Sequence, residues 1–367
     1  MALTRGDDFP IHQTAEPIAY SGTDRNFYDR YFFNAYAPAG DLYVAAAFGV
    51  YPHLNIADAA FVVVRDGVET ALHASRWLGD RLDLAVGPVR IEVVEPLQKL
   101  RILVDSPEHS LKAEVTFEGR AFPIEEPRFT RRAGTRTVLD YTRLTQNGRY
   151  SGWIELDGRR ESLDGFIGTR DRSWGVRPVG ARDSQEVVPP QLPQFFWLWT
   201  PLNFDAGSLF FHTNDDAAGR PWNTRAVWAP DGAGEGGFTH LNGAIDVTWK
   251  SGTRHAASAV LRLTDDYGQP WGEAVFRPAY EFLMLGLGYG HPKWAHGTSH
   301  GELAVEREDI TLAEADPRVP HHLHVQALCD VTLTRDGAAQ EGRGILEQLA
   351  IGPHAPSGFR EMLDFAP

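Results

Sequence analysis

The segment Gly168-Thr169-Arg170-Asp171-Arg172-Ser173-Trp174-Gly175-Val176-Arg177 sets one carboxylate among three guanidiniums beside an indole. Charges are seldom withdrawn from water unless they are paired. Asp171 with Arg170, Arg172 and Arg177 therefore reads either as an ion-paired strut or as a proton-carrying carboxyl. Nearby arginines favour the ionised form and burial beside Trp174 favours the neutral one, so local residues leave both readings open.

A second cluster threads His291, His296 and His300 through the glycine-rich run Gly286 to Gly301. Neutral imidazole can act as acid, base or metal ligand near pH 7, and a loop held by Gly and Pro makes His291 and His296 candidate partners for Asp171. No nearby carboxylate completes an established zinc or iron spacing, so no metal is assigned here. A third cluster, His321-His322-Leu323-His324, reads as a solvated strand start. Aromatic residues form the fourth signal. Phe195, Phe196, Trp197 and Trp199 fall in one run and Phe27, Tyr28, Tyr31, Phe32, Phe33 and Tyr36 in another. Apolar bulk on both faces of the first run suits a barrel that lines an apolar pocket.

The elements that must position these residues are strands. Leu111, Ala113, Val115 and Phe117 alternate with Lys112, Glu114, Thr116 and Glu118, and the same period of two runs through Leu241 to Trp249 and Val325 to Leu333. Asp66-Gly67, Asn147-Gly148, Asp157-Gly158, Asp231-Gly232 and Asp336-Gly337 punctuate strand-like runs and predict two-residue hairpins with positive φ. Hairpin-linked strands must close on themselves or stack, so antiparallel barrels or sandwiches are expected. A chain of 367 residues exceeds what one core usually serves. The proline-rich stretch Arg177 to Gln194 marks the boundary between a domain at 1–190 and one at 191–367. The hairpin phrases Val62 to Leu72 and Val331 to Leu346 share too little sequence to establish a repeat.

Composition excludes several functions. A net charge of −14 disfavours nucleic acid and anionic membranes, because both recruit Lys and Arg to replace counterions. Cys329 is the sole cysteine, which rules out an intrachain disulfide and fits a cytoplasmic protein. Met1 to Pro17 lacks the apolar core of a signal peptide, and the longest apolar run, Leu42 to Tyr51, falls short of a bilayer span. No phosphate-binding glycine loop and no Gly-x-Ser-x-Gly elbow occurs, which argues against nicotinamide, flavin and ATP chemistry and against a serine hydrolase.

The run Arg170-Asp171-Arg172-Ser173-Trp174-Gly175 resembles the Asp-His-Asn-Trp-Gly signature of the carotenoid 1,2-hydratase (hydroxyneurosporene synthase) superfamily. It is similar above all to a bacterial branch in which Gly-x-Arg-Asp-x-Ser-Trp-Gly-x-Arg precedes His-Pro-x-Trp-x-His-Gly, here His291 to Gly297. Tocopherol cyclase and fungal Diels–Alder cyclases are more distant relatives. The resemblance implies an all-β chain of two lipocalin-like antiparallel β-barrel or sandwich domains. It also implies that Asp171 is the proton-donating carboxylate and Trp174 its aromatic wall. Arg172 stands where the family has histidine, and a permanent cation there favours the charged carboxylate.

The expected function is a cofactor-independent acid–base enzyme of the lyase (hydratase) or isomerase (cyclase) kind, acting on a hydrophobic aromatic or isoprenoid small molecule in a pocket between two barrels. Asp171 and His296 would move protons, with Arg170 polarising a substrate oxygen. Trp174, Arg177, Trp197, Trp199, His291 and Tyr28 would bind substrate. Neither a cofactor, a metal, a nucleic acid nor a membrane span enters this reading, and a homodimer is compatible with it. A lipocalin-like carrier of a hydrophobic metabolite is the alternative, and a carbohydrate-active sandwich is the third reading.

Overall fold

A computed structural model describes residues 8–10, 24–38, 40–185, 188 and 193–367. Among them the chain is built from strands, short 3-10 turns and loops, with no α-helix. Among the described residues no helix is long and apolar enough to cross a membrane. Two compact units form: Met1–Pro190 with Gly286–Thr311, and Gln191–Leu285 with Leu312–Pro367. Pro190 and Gln191, which flank the expected boundary, lie outside the described residues, as do Asp7, Glu16 and Pro189.

The first unit opens with four hairpin-linked strands, β1 (Phe27–Tyr36), β2 (Leu42–Tyr51), β3 (Ile56–Arg65) and β4 (Val68–Trp77). Then come β5 (Ala85–Val86), β6 (Val89–Glu95), β7 (Lys99–Ser106), β8 (Leu111–Gly119), β9 (Ile124–Glu125), β10 (Phe129–Ala133), the long β11 (Arg136–Leu156), β12 (Arg159–Ser162) and β13 (Phe166–Val176). The second unit runs through β14 (Phe195–Phe204), β15 (Gly207–Asp215), β16 (Pro221–Pro230), β17 (Thr239–Trp249), β18 (Ala256–Thr264) and β19 (Pro270–Leu283). The chain then returns to the first unit for β20 (Leu303–Thr311) and ends in the second with β21 (Val325–Arg335) and β22 (Ala338–Ile351).

In the first unit the sheet order is β20-β4-β3-β2-β1-β13-β11-β8-β7-β6-β5, with β9, β10 and β12 also pairing with β11. The sheet curls until its ends approach, and the Arg76 Nε of β4 donates to the Ala85 carbonyl of β5 at 2.7 Å. Alternation decides what goes inside. Tyr31, Phe33, Val44, Phe48, Phe61, Val63, Ile102, Val115 and Phe117 fill the concave face. β2 is buried along its whole length, as its unbroken apolar run requires of a strand covered on both faces.

The second unit is a closed eight-stranded barrel, β14-β15-β16-β17-β18-β19-β21-β22. Phe196, Leu198, Phe211, Leu261, Phe276, Val331 and Leu346 make its core. Trp197 and Trp199, one residue out of phase with Phe196 and Leu198, point away from that interior. Both are nonetheless buried, and the Trp197 indole donates to Glu347 at 2.9 Å.

Asp66-Gly67, Asp157-Gly158 and Asp336-Gly337 form the expected turns, with positive φ at both residues. Asn147-Gly148 does not. Both residues lie inside β11, paired with Thr169 and Gly168 of β13. The glycine serves close approach there, since a Cβ on Gly148 would lie 2.1 Å from the Phe117 ring. His321 and His322 stand in a 3-10 turn rather than at a strand start.

Candidate functional site

The convex face of the first sheet carries a polar row that crosses six strands in register: Arg143, Ser173, Arg30, Gly49, Asp58 and Ser75. A parallel row holds Thr145, Asp171, Phe32, Ala47, Ala60, His73 and Glu306. The loop after Gly286 lies across these rows. Arg30 donates to the Leu287 carbonyl at 3.0 Å, and the Gly297 N–H donates to Asp58 Oδ2 at 2.8 Å.

Asp58 and Tyr51 form the centre of this face. The Tyr51 hydroxyl donates to Asp58 Oδ1 at 3.1 Å and accepts a long 3.4 Å contact from Arg30 Nη1. Gly49 makes room for this, because a Cβ there would sit 2.5 Å from the Tyr51 oxygen. Withdrawal from bulk water raises the Asp58 carboxyl from its ordinary value, opposed by the Arg30 charge and by the hydrogen bonds from Gly297 and Tyr51. A cavity of about 10 Å³, roughly the room of one water, is lined by Asp58, Arg30, Ser75, His296 and Thr298 among others.

His296 is clamped at both nitrogens. Nε2 donates to the Leu287 carbonyl at 2.9 Å, and Nδ1 accepts from Arg177 Nη2 at 3.0 Å. Arg177 in turn lies 4.5 Å from the ring centre of Tyr28. Burial pushes the Tyr28 phenol up to about 12, with Arg177 and a Ser173 hydrogen bond pulling the other way. Tyr28 and Tyr141 meet edge to face at 6.1 Å across Gly175. Arg177, His296 and Tyr28 therefore come together as one aromatic and cationic patch.

The arginines that bracket Asp171 in sequence do not surround it in space. Strand alternation puts Asp171 on the convex face, where its partner is Arg143 of β11 at 2.9 Å. Arg143 also lies 3.3 Å from buried Glu126. Arg170 and Arg172 face the barrel interior, paired with Asp8 and with Asp29. Trp174 shares their parity rather than that of Asp171. Asp171 lies three strands from Asp58, roughly 14 Å at about 4.8 Å per strand, beyond direct proton transfer.

His291 joins neither His296 nor His300 but His73 and Glu308, with their ligand atoms within 4.8 Å of one another. Its Nε2 lies 2.9 Å from Glu308, and His73 Nε2 lies 3.7 Å from the same oxygen. The His73 and His291 imidazoles hold Glu308 down to about 2. The donor set does not fit a metal. His291 Nδ1 accepts the N–H groups of Lys293 and Trp294 at 3.0 and 2.8 Å, so in the neutral ring the proton is on Nε2. A metal-ligating histidine instead donates from its second nitrogen.

Asp58, Tyr51, Arg143 and His73 escaped the sequence reading. A usable signal existed for Asp58, a lone carboxylate within the apolar strand Ile56–Arg65.

The match that settles the family is a model spanning residues 3–360. The chain belongs to DUF8625, a family of unknown function. No curated protein matches this DUF8625 member. Among solved structures it is similar to an AttH-type protein from Nitrosomonas europaea, at 15% identity and a TM-score of 0.49, covering 88% of this chain and 92% of the other. It is also similar to kievitone hydratase from Nectria haematococca, at 9% identity and a TM-score of 0.47, covering 93% and 98%.

Proposed function

We propose that this chain is a cofactor-independent acid–base enzyme of the lyase or isomerase kind, acting on a hydrophobic aromatic or isoprenoid molecule at the convex face of the first sheet. One observation carries the reading: a carboxyl with a raised pKa, Asp58, hydrogen-bonded to Tyr51 beside a water-sized cavity shared with Arg30 and His296. In a hydration, Asp58 gives its proton to one alkene carbon. Water bonds to the neighbouring carbon and returns a proton to the carboxylate. His296 has both nitrogens engaged, so its part is to hold Arg177 toward the substrate. Asp171 fixes Arg143 at the edge of the same face. Tyr28 and Tyr141, with Tyr289 packed edge-on against the His296 ring at 4.4 Å, supply the wall that excludes water. A cytoplasmic setting belongs to this reading and rests on the solitary, buried Cys329.

The test incubates the protein with a panel of hydrophobic alkenes and enones in deuterium oxide and follows deuterium uptake by mass spectrometry. The wild type should label its substrate and Asp58→Asn should lose at least a hundredfold in rate. Unchanged turnover in that variant removes Asp58 from the chemistry. Unchanged turnover in Asp171→Asn would leave Asp171 a structural residue.

The carrier reading draws on a separate feature. In the second unit β16 pairs with β17 only from Ala226 to Trp228, and a cavity of about 350 Å³ lined by Phe196, Phe211, Ile245, Val247, Asp215 and His354 adjoins that gap. That volume suits a small ligand. A stoichiometric ligand seen by native mass spectrometry and recovered unchanged after incubation would favour transport over catalysis.

A further inference from the structure

The concave side of the first sheet holds charges that the proposed chemistry does not use. Arg170 and Arg172 are fully buried among Tyr31, Phe33 and Phe117, with Arg172 3.9 Å from the Tyr31 ring centre and Arg170 5.5 Å from that of Phe117. Arg172 has a carboxylate from its own sheet, Asp29 on β1, at 2.5 Å. Arg170 receives from the sheet only the neutral oxygen of Gln146, at 2.7 Å to its Nε. The carboxylate that pairs with Arg170 comes instead from residues 8–10, a segment that belongs to no strand.

Asp8 is held as a ligand is held. Its carboxylate accepts from Arg170 Nη1, from Arg170 Nη2 at 3.5 Å and from the Leu97 N–H, while its carbonyl accepts from the Tyr31 hydroxyl. The next carbonyl, Phe9, accepts from Arg172 at 2.9 Å. A guanidinium fork and a backbone N–H converging on one carboxylate, with aromatic rings beside it, constitute a carboxylate receptor, and the Tyr31 phenol anchors the backbone that now fills it. Without Asp8 the Arg170 charge would stay buried beside a neutral amide, an arrangement that proteins do not tolerate cheaply.

We infer that the interior of the first barrel is a binding site for a small monocarboxylate with an apolar body, and that the chain's own Asp8 occupies the acid subsite as a tethered stand-in. A free acid competes with a tethered one at its effective concentration, so the untouched protein binds such acids weakly and a chain lacking the Asp8 carboxylate binds them well.

The experiment uses the full chain and its Asp8→Ala variant with propionate and butyrate, against propionamide and against sulfate at equal ionic strength. The readouts are the thermal midpoint and line broadening of 13C-carboxyl propionate. The variant should melt several degrees below the wild type. Propionate at tens of times its Kd should then raise the variant's midpoint by about 4 °C while moving the wild type by less than about 1 °C. Adding Arg170→Gln should abolish the response. Equal responses from propionamide or sulfate, equal responses in wild type and variant, or none in either, would overturn the assignment. If Asp8→Ala fails to fold without acid, rescue by propionate supports the site. If it fails with acid as well, Asp8→Asn, which keeps the shape and loses the charge, carries the same comparison. Turnover at Asp58 plays no part in these readouts, so this inference and the proposed enzyme function fail separately.

Discussion

Arg172 and Asp29 lie on neighbouring strands inside the first barrel, both side chains fully buried and 2.5 Å apart. Arg172→Met keeps the apolar stem of the side chain but removes the guanidinium that lies over Tyr31 and leaves Asp29 without this partner, which should cost about 3–5 kcal/mol. Asp29→Ala leaves the guanidinium the neutral Arg30 and Phe9 carbonyls as acceptors and should cost a similar amount. The double variant removes both charges, so only the two carbonyl contacts are lost, at about 2 kcal/mol. The cycle should therefore show a coupling of at least about 3 kcal/mol. Urea titrations followed by fluorescence supply the energies, and hydrogen exchange at β1 identifies the transition of the first unit, since a chain of this size need not unfold in one step. Single variants within about 1 kcal/mol of wild type, or additive effects, would refute the claim that these arginines are struts.

Three further outcomes follow from the geometry. Glu308 is held at about 2 in the folded chain against an ordinary value of 4.5, so its contribution is present above about pH 4.5 and lost as pH falls toward 2. It is partly exposed, so Glu308→Gln should remove only about 1 kcal/mol of that acid dependence, and an unchanged pH profile of stability would contradict the pairing. Gly175 has φ +132° and its missing Cβ would fall 2.3 Å from the Asp140 carbonyl oxygen, so Gly175→Ala should cost at least about 3 kcal/mol. Gly165, at φ +84° in open space, should cost only about 1 kcal/mol on the same change, and equal melting points for the two variants would sink the comparison. Burial raises the Cys329 thiol pKa and keeps reagents away, so iodoacetamide should label it only after denaturation, and rapid native labelling would show the second barrel to be open there.

The all-β architecture was legible because alternation is a local property. Leu111 to Glu118, Leu241 to Trp249 and Val325 to Leu333 each form the strand their period implies. The turns at Asp66, Asp157 and Asp336 were legible for the same reason, since Asp and Gly tolerate positive φ. Asn147-Gly148 misled because glycine also serves where a neighbouring ring crosses a strand, and only the position of Phe117 tells the two uses apart. The site was less legible than the fold. Which side chains share a face follows from period two, but which strands lie side by side follows from closure of the sheet. Arg143 meets Asp171 across 28 positions of sequence, and Asp58 meets Gly297 across 239.

The same arithmetic explains why a run of charges in a strand should not be read as one cluster. Consecutive residues of β13 point to opposite sides, so Arg170-Asp171-Arg172 divides into two inward cations and one outward anion. Each then needs a partner from another strand or segment, and each has one: Asp8, Arg143 and Asp29. Two buried guanidiniums inside a barrel oblige the chain to deliver two carboxylates there. Asp29 arrives by strand register with β13, whereas Asp8 reaches the same interior from outside the sheet. A substitution at Arg170 thus acts on the concave face and one at Asp171 on the convex face. Neighbouring residues in the most charged segment of the sequence should therefore give unrelated phenotypes, Arg170→Gln in stability and carboxylate binding, Asp171→Asn in the chemistry of the opposite side.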